Sequence, residues 1–221
     1  MTSPREWLDE AVRKVAADPI RIRSLFPVVS RYVGREPLNE DDEQGLVEGY
    51  VDDAARVELL LALPLPEKAL AEEIGALYWY GDAAERRGVL RGLHLLDAPH
   101  REGGIGASAL PLVLDALRSN DTRLIAAAVG PYGSKYLDDD MWRQAVLKCV
   151  FTGVPLAAVH RLHERADGEL ARMLVDYARE RVAAGRDVPA DVWLVLRSFP
   201  EHVENSDLPA DVRPLTPCQE K

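Results

Sequence analysis

Two cysteines, Cys149 and Cys218, are all that 221 residues carry. A disulfide framework is set aside on that count, and a reducing cytosol is the expected compartment. Lysine is scarce and arginine supplies most of the positive charge, with 27 basic against 37 acidic residues and a net charge of -10. No cluster of Lys and Arg is interleaved with aromatics. Phosphate contacts carry much of nucleic-acid affinity, so a nucleic-acid partner is not expected. The same acidity disfavours charge-driven binding to anionic lipid. Long apolar runs are missing too. VELLLALPL and LIAAAVG are too short to span a bilayer, and MTSPREWLDEAV lacks a basic segment followed by an apolar one, so neither membrane insertion nor a signal peptide is read. Sustained period-2 runs of β-branched and aromatic residues are absent, so no strand is predicted.

What remains is helical spacing. Hydrophobic residues make up 47% of the chain, as in a globular protein. Ser3-Pro4-Arg5-Glu6 is a capping box with proline at the first helical position, opening a helix with Trp7, Leu8, Val12 and Val15 on one face. A second helix is predicted over 21–32, kinked or ended by Pro27. Residues 34–47 read as a loop. A third helix covers 51–61, with Ala55, Leu59 and Ala62 on one side. The segment 63–66 breaks it, and the next helix runs to Trp79 and is closed by Gly81. Asp82 and Glu85 form another capping box, opening a helix through Leu96. Residues 97–106 are the clearest linker. Leu110, Val113, Leu114 and Leu117 share a face, and Asn120-Asp121 stops that helix and caps an Ala-rich one. Asp140–Gly185 reads as helix, tight break, short helix, long helix. In the last, Leu170, Met173, Leu174, Tyr177 and Ala178 fall at i, i+3, i+4, i+7 and i+8, one face of an α-helix. Pro189 starts a final helix through Arg197. The expected fold is all-α, an irregular HEAT-like stack forming one domain over 1–198, with 199–221 a disordered or draped tail.

Chemistry-bearing patterns are sparse. His160 and His163 lie one turn apart, yet His-Glu-x-x-His is absent, so no metal site is assigned. Asp138, Asp139 and Asp140 precede a helix and are read as its cap. The glycine-bearing segments 103–106 and 130–135 read as loops and match no phosphate loop. Cys149 lies in the apolar stripe Trp142, Ala145, Val146, Cys149, Val150 and reads as a buried, inert thiol. Arg172, Asp176 and Arg179 share one helix face, as a salt-bridged exterior or an anion-binding edge. No catalytic signature and no cofactor motif is found.

One ordered string of residues does carry a resemblance. Pro131-Tyr132, Lys135-Tyr136-Leu137, Trp142, Gln144, Val146-Leu147-Lys148, Phe151, Pro155-Leu156, Leu162, Arg165, Glu169–Leu174, Asp176–Ala178, Glu180-Arg181 and Ala183–Arg186 resemble the signature region of the EboA-domain family. Three positions depart from the family pattern: it has Asn where this chain has Arg143 and Asp167, and His where it has Arg179. The resemblance implies a bacterial protein encoded beside a UbiA-type prenyltransferase, a TatD-like hydrolase, a dehydroquinate-synthase-like enzyme and a xylose-isomerase-like protein. Such clusters imply a secondary metabolite and, in some bacteria, export of a pigment precursor. That supplies a setting and no reaction. The expected role is a non-catalytic accessory protein that binds a small-molecule intermediate or a pathway protein. Tyr132, Tyr136, Trp142, Gln144, Lys148, Arg172 and Asp176 are the candidate ligand-binding residues, expected to face a common hollow. One alternative is an enzyme on a cyclitol or sugar-like intermediate, with Asp138–Asp140, His160 and Asp176 as acids or bases. Another is an assembly scaffold with a large exposed apolar patch.

Overall fold

Helix starts are written in side chains that satisfy orphan N–H groups, and the structure uses them. At the first, the Ser3 hydroxyl accepts from the Glu6 N–H while the Glu6 carboxylate accepts from the Ser3 N–H at 2.8 Å. The computed structural model describes residues 3–97 and 104–209. Helix α1 (Pro4–Ala17) buries Leu8, Ala11 and Val15, and Trp7 stacks on Tyr32 at 4.4 Å between ring centroids. The predicted helix over 21–32 is split into a 3-10 turn, α2 (Ile22–Leu25) and α3 (Val29–Val33), because Pro27 removes a donor in its middle. Residues 34–50 hold no helix. Their turn is tied by Asp42, whose carboxylate accepts from the N–H groups of Leu46, Val47 and Glu48 at 2.9–3.0 Å.

Helices α4 (Val51–Leu61), α5 (Glu67–Tyr80) and α6 (Ala83–Leu96) follow as spaced in the sequence. The Asp82–Glu85 capping box is present. α4 and α6 lie in close contact because α6 presents Gly88 and Gly92 to its partner. A Cβ on Gly88 would sit 2.7 Å from Cδ of Arg56, and one on Gly92 would sit 3.1 Å from Leu60. Most of the linker at 97–106 lies outside the described residues, as does the tail from 210 onward. A 3-10 turn at Gly106–Ala109 leads into α7 (Leu110–Arg118), which packs on α8 (Thr122–Ala128) across the Asn120-Asp121 turn.

The glycine-bearing stretch after Gly130 is not a loop. It forms α9 (Pro131–Tyr136), with proline at its first position and Gly133 pressed against the carbonyl of Ala128, where no Cβ fits. α10 (Asp139–Thr152) starts on Asp138, whose carboxylate accepts from the Met141 N–H at 2.8 Å, and stops at Gly153 in the left-handed region. After a 3-10 turn, the short α11 (Leu162–Arg165), the long α12 (Gly168–Ala183) and α13 (Val192–Leu196) complete the predicted order. The sequence pattern offers no helix after Ser198. The structure forms α14 (Pro200–Glu204) and buries Val203 and Leu208, two apolar anchors too widely spaced to register as a face. Among the described residues the fold is all-α, without a strand; one backbone bridge, Pro37 to Tyr50, is the nearest thing. The buried apolar side chains join in one cluster running from α1 to the segment after α14.

Candidate functional site

The chain buries charge where α4 meets α6. Asp52, Asp53, Arg56 and Arg87 are buried, though α4 and α6 are otherwise ordinary amphipathic helices. Asp52 and Arg56 are one turn apart on α4, and Nη1 of Arg56 donates to Oδ2 of Asp52 at 2.6 Å. The Ser30 hydroxyl donates to the same carboxylate at 2.7 Å and accepts from Nη2 of Arg56 at 2.9 Å. Arg87, from α6, donates through Nε to both oxygens of Asp53 at 2.7 Å and through Nη2 to Asp52 at 3.1 Å. Nε of Arg91 faces Asp53 at 3.6 Å, while its Nη groups donate to the carbonyls of Gly45, Leu46 and Val47 at 3.0–3.1 Å. Burial pushes the Asp53 carboxyl above its usual range, against the pull of Arg87. Desolvation outweighs the ion pair there.

Beside this network lies a groove of about 610 Å³. Its walls come from α4 (Val57, Leu61), α6 (Leu90, Leu95), α8 (Ala126, Ala127) and the turn after α10 (Ala157, Ala158), and its lip from Leu38 and Val47. The polar groups are few: Asp53, Arg91, Glu48, Glu58, His94 and His160. Arg91 is occupied by the three carbonyls and Asp53. His94 is half-buried, and desolvation, with His160 adding to it, holds its pKa below the ordinary histidine value. The groove therefore lays acceptors over an apolar floor, and its carboxylates are partnered: Asp53 by Arg87, Glu58 by Arg5 and Glu48 by Asn39. Its size and lining are those of a small-molecule site.

The residues singled out from sequence lie elsewhere, in four places. Tyr132 is buried, and its hydroxyl donates to the Gly106 carbonyl at 2.6 Å and accepts from the Ala109 N–H at 3.2 Å. Its neighbour Tyr136 donates to Asp97 at 2.7 Å, which also takes the Lys135 ammonium at 2.6 Å. Trp142 is buried beneath Arg165, whose guanidinium lies 4.9 Å from the ring centroid. Gln144 and Lys148 do share a cavity, a second groove between α7 and α10. Arg172 and Asp176 lie exposed on α12, bonded to each other at 2.7 Å, and Glu169 holds the other edge of Arg172. Burial keeps Cys149 inert and pushes its thiol up to about 12. Among the described residues no group of three His, Cys, Asp or Glu side chains is placed to hold a metal.

Residues 2–197 of the 221 match the family described as "Metabolite traffic protein EboA". The chain belongs to the EboA family. No curated protein and no solved structure matches it. Two of the positions singled out above in this EboA-family chain find each other in space. Arg143 and Asp167 form a forked ion pair, Nε to both carboxylate oxygens at 3.0–3.1 Å and Nη2 to Oδ2 at 2.6 Å. Arg179, the third of those positions, donates to Asp207 at 3.1 Å and ties α12 to the segment after α14. Among the described residues of this family member, no helix is long and apolar enough to cross a membrane.

Sequence reasoning missed the α4–α6 groove and its charges, although a signal was there. Asp52 and Arg56 fall on the same stripe as Ala55, Leu59 and Leu60, so two charges interrupt a face that must be buried. Gly88-x-x-x-Gly92 on the neighbouring helix marks the close approach. Charge on an apolar stripe is the pattern to look for.

Proposed function

We propose that this EboA-family protein is a non-catalytic accessory protein of a secondary-metabolite pathway, and that it holds a small-molecule intermediate in the α4–α6 groove. One observation carries the reading: a cavity of about 610 Å³ with an apolar floor and a few fixed polar groups in its lining. The balance of those groups gives the ligand class. Asp53 is bound by Arg87, Glu58 by Arg5 and the one guanidinium by the fold, so little charge is left free to hold an ion. A neutral imidazole at His94 and the carboxylates accept hydrogen bonds. The fitting ligand is a neutral molecule with an apolar body and a few hydroxyl donors.

Binding is favoured over acid–base catalysis by the state of the candidate carboxylates. Asp138 caps α10; Asp139 pairs with Arg165 at 2.8 Å, Asp140 with Arg143 at 2.6 Å, and Asp176 with Arg172 at 2.7 Å. His160 alone of the candidate acids and bases lines the α4–α6 groove, so the set does not converge.

Ala54 is an exposed residue of α4 that lines the groove, so Ala54→Trp fills the cavity without entering the core. Untargeted mass spectrometry of small molecules co-purifying with the two proteins tests the reading. A neutral, hydroxylated molecule carried by the wild type and lost from Ala54→Trp is expected. A wild type that carries nothing, or a variant that carries the same molecule, overturns it.

A further inference from the structure

Among the described residues, nothing covers one side of helix α10. Met141 and Phe151 are 41% and 58% exposed there. With Ala145 and Leu147, and with Leu114 and Leu117 of α7, they line an apolar groove of about 530 Å³. Charge is placed at its two ends with opposite sign. Asp140, its side chain 93% exposed and with one oxygen held by Arg143 at 2.6 Å, stands at the start of α10 with its other oxygen open. Lys148 stands two turns on, joined by Arg118 from α7. The Lys148 ammonium donates to the Asn120 side chain at 3.3 Å, and among the described residues no carboxylate lies within ion-pair distance of Lys148 or Arg118.

The numbering of this face is symmetric. Asp140 and Lys148 are equally far from Gln144, and so are Met141 and Leu147. We propose that the face is a two-fold interface in which α10 packs antiparallel on α10 of a second copy of this chain, centred on Gln144. An isologous contact requires a self-complementary surface, and this one supplies it. The rotation sets Asp140 of each copy against Lys148 of the other, twice over, and lays Met141 on Leu147. The two Gln144 amides meet at the axis, where each can donate and accept at once. Helices at ordinary packing distance, about 8–10 Å, bring these side chains into contact. Parallel packing sets Asp140 on Asp140 and Lys148 on Lys148, so the charges select the antiparallel pair. They also favour a second copy over a foreign helix, which has no reason to repeat this spacing in reverse.

Sedimentation equilibrium and light scattering on the full chain test the assignment. The wild type is expected to be a dimer. Asp140→Lys and Lys148→Glu each place like charges across the axis twice and are expected to weaken association by ~10-fold or more. The double variant D140K/K148E restores the pairs with reversed sign and is expected to dimerise again. The two single variants, mixed, are expected to form a one-to-one heterodimer while neither self-associates. Gln144→Glu, away from the helix start, is a further disruptor should Asp140→Lys disturb the fold, with circular dichroism as the check. A monomeric wild type, single variants that dimerise normally, or a double variant and a mixture that both stay monomeric overturns the proposal. The first of these results leaves the face to a different protein.

Discussion

The pair α4–α6 and the pair α10–α12 bury their facing sides by opposite means. Between α4 and α6 lie Asp52, Asp53, Arg56 and Arg87, and glycines bring the two backbones close. α10 and α12 bury Val146, Cys149, Leu170, Leu174 and Ala178; Arg143 pairs with the α12 cap Asp167 at one end, and the other ion pairs of α12 stay on the outside. The first arrangement is costly to assemble, because each buried charge gives up hydration that its partner only partly replaces. The raised pKa of Asp53 records that cost. The second gains directly from apolar burial. The candidate ligand groove lies against the costly pair, where polar groups are fixed by one another and not by solvent.

The sharpest way to break the comparison is to put methionine into both regions. Arg56→Met leaves Asp52 with only Arg87 and Ser30 and should lose about 3–5 kcal/mol, the usual result of removing one partner of a buried pair. Leu174→Met, at a site just as buried, should lose less than ~1.5 kcal/mol. Urea unfolding at neutral pH measures both; equal losses would mean that the two cores are alike. A smaller effect separates glycines. Gly88→Ala drives a methyl into the Arg56 stem and should cost about 1–3 kcal/mol. Gly75→Ala on α5 meets nothing within 4 Å and should gain about 0.4–1 kcal/mol. If both variants gain, α4 and α6 can move apart without loss.

The smallest effect is the pH dependence of His94. Its folded pKa lies below the ordinary value of 6.5, so the unfolded chain takes up the proton first as pH falls. His94 therefore favours the folded state fully above about pH 6.5, and this contribution is lost as pH drops from there to the lowered folded value. His94→Gln should flatten the pH slope of stability in that window, read by thermal unfolding at a series of pH values. An unchanged slope would place His94 in water.

Much of the fold is legible in the sequence because it depends on local chemistry. The capping boxes at Ser3 and Asp82, the break at Pro27 and the stripe Leu170–Ala178 act within a few residues of themselves. Where distant segments decide, the reading fails. α9 looks like a loop because glycine weakens a helix in isolation, yet Gly133 is what lets that helix fold against the end of α8. α14 is invisible because Val203 and Leu208 find their core only in three dimensions. The site is less legible still. Tyr132, Trp142 and Lys148 attract attention as aromatics and a rare lysine, and two of the three turn out to be buried packing or bracing residues. The α4–α6 groove depends on Arg87 and Arg91, which look like surface charges until Asp53 is placed beside them, 34 residues from Arg87 in sequence.

Arg91 touches both the charged interior and the helix-free stretch 34–50. With one edge it leans on Asp53, and with its fork it grips three successive carbonyls at 45–47. The outline of the groove's doorway is thereby moulded by a side chain rooted in a rod, not by the ribbon that forms it. A descendant that swapped the inner ions for oil would keep its scaffold of rods and lose the shape of its threshold.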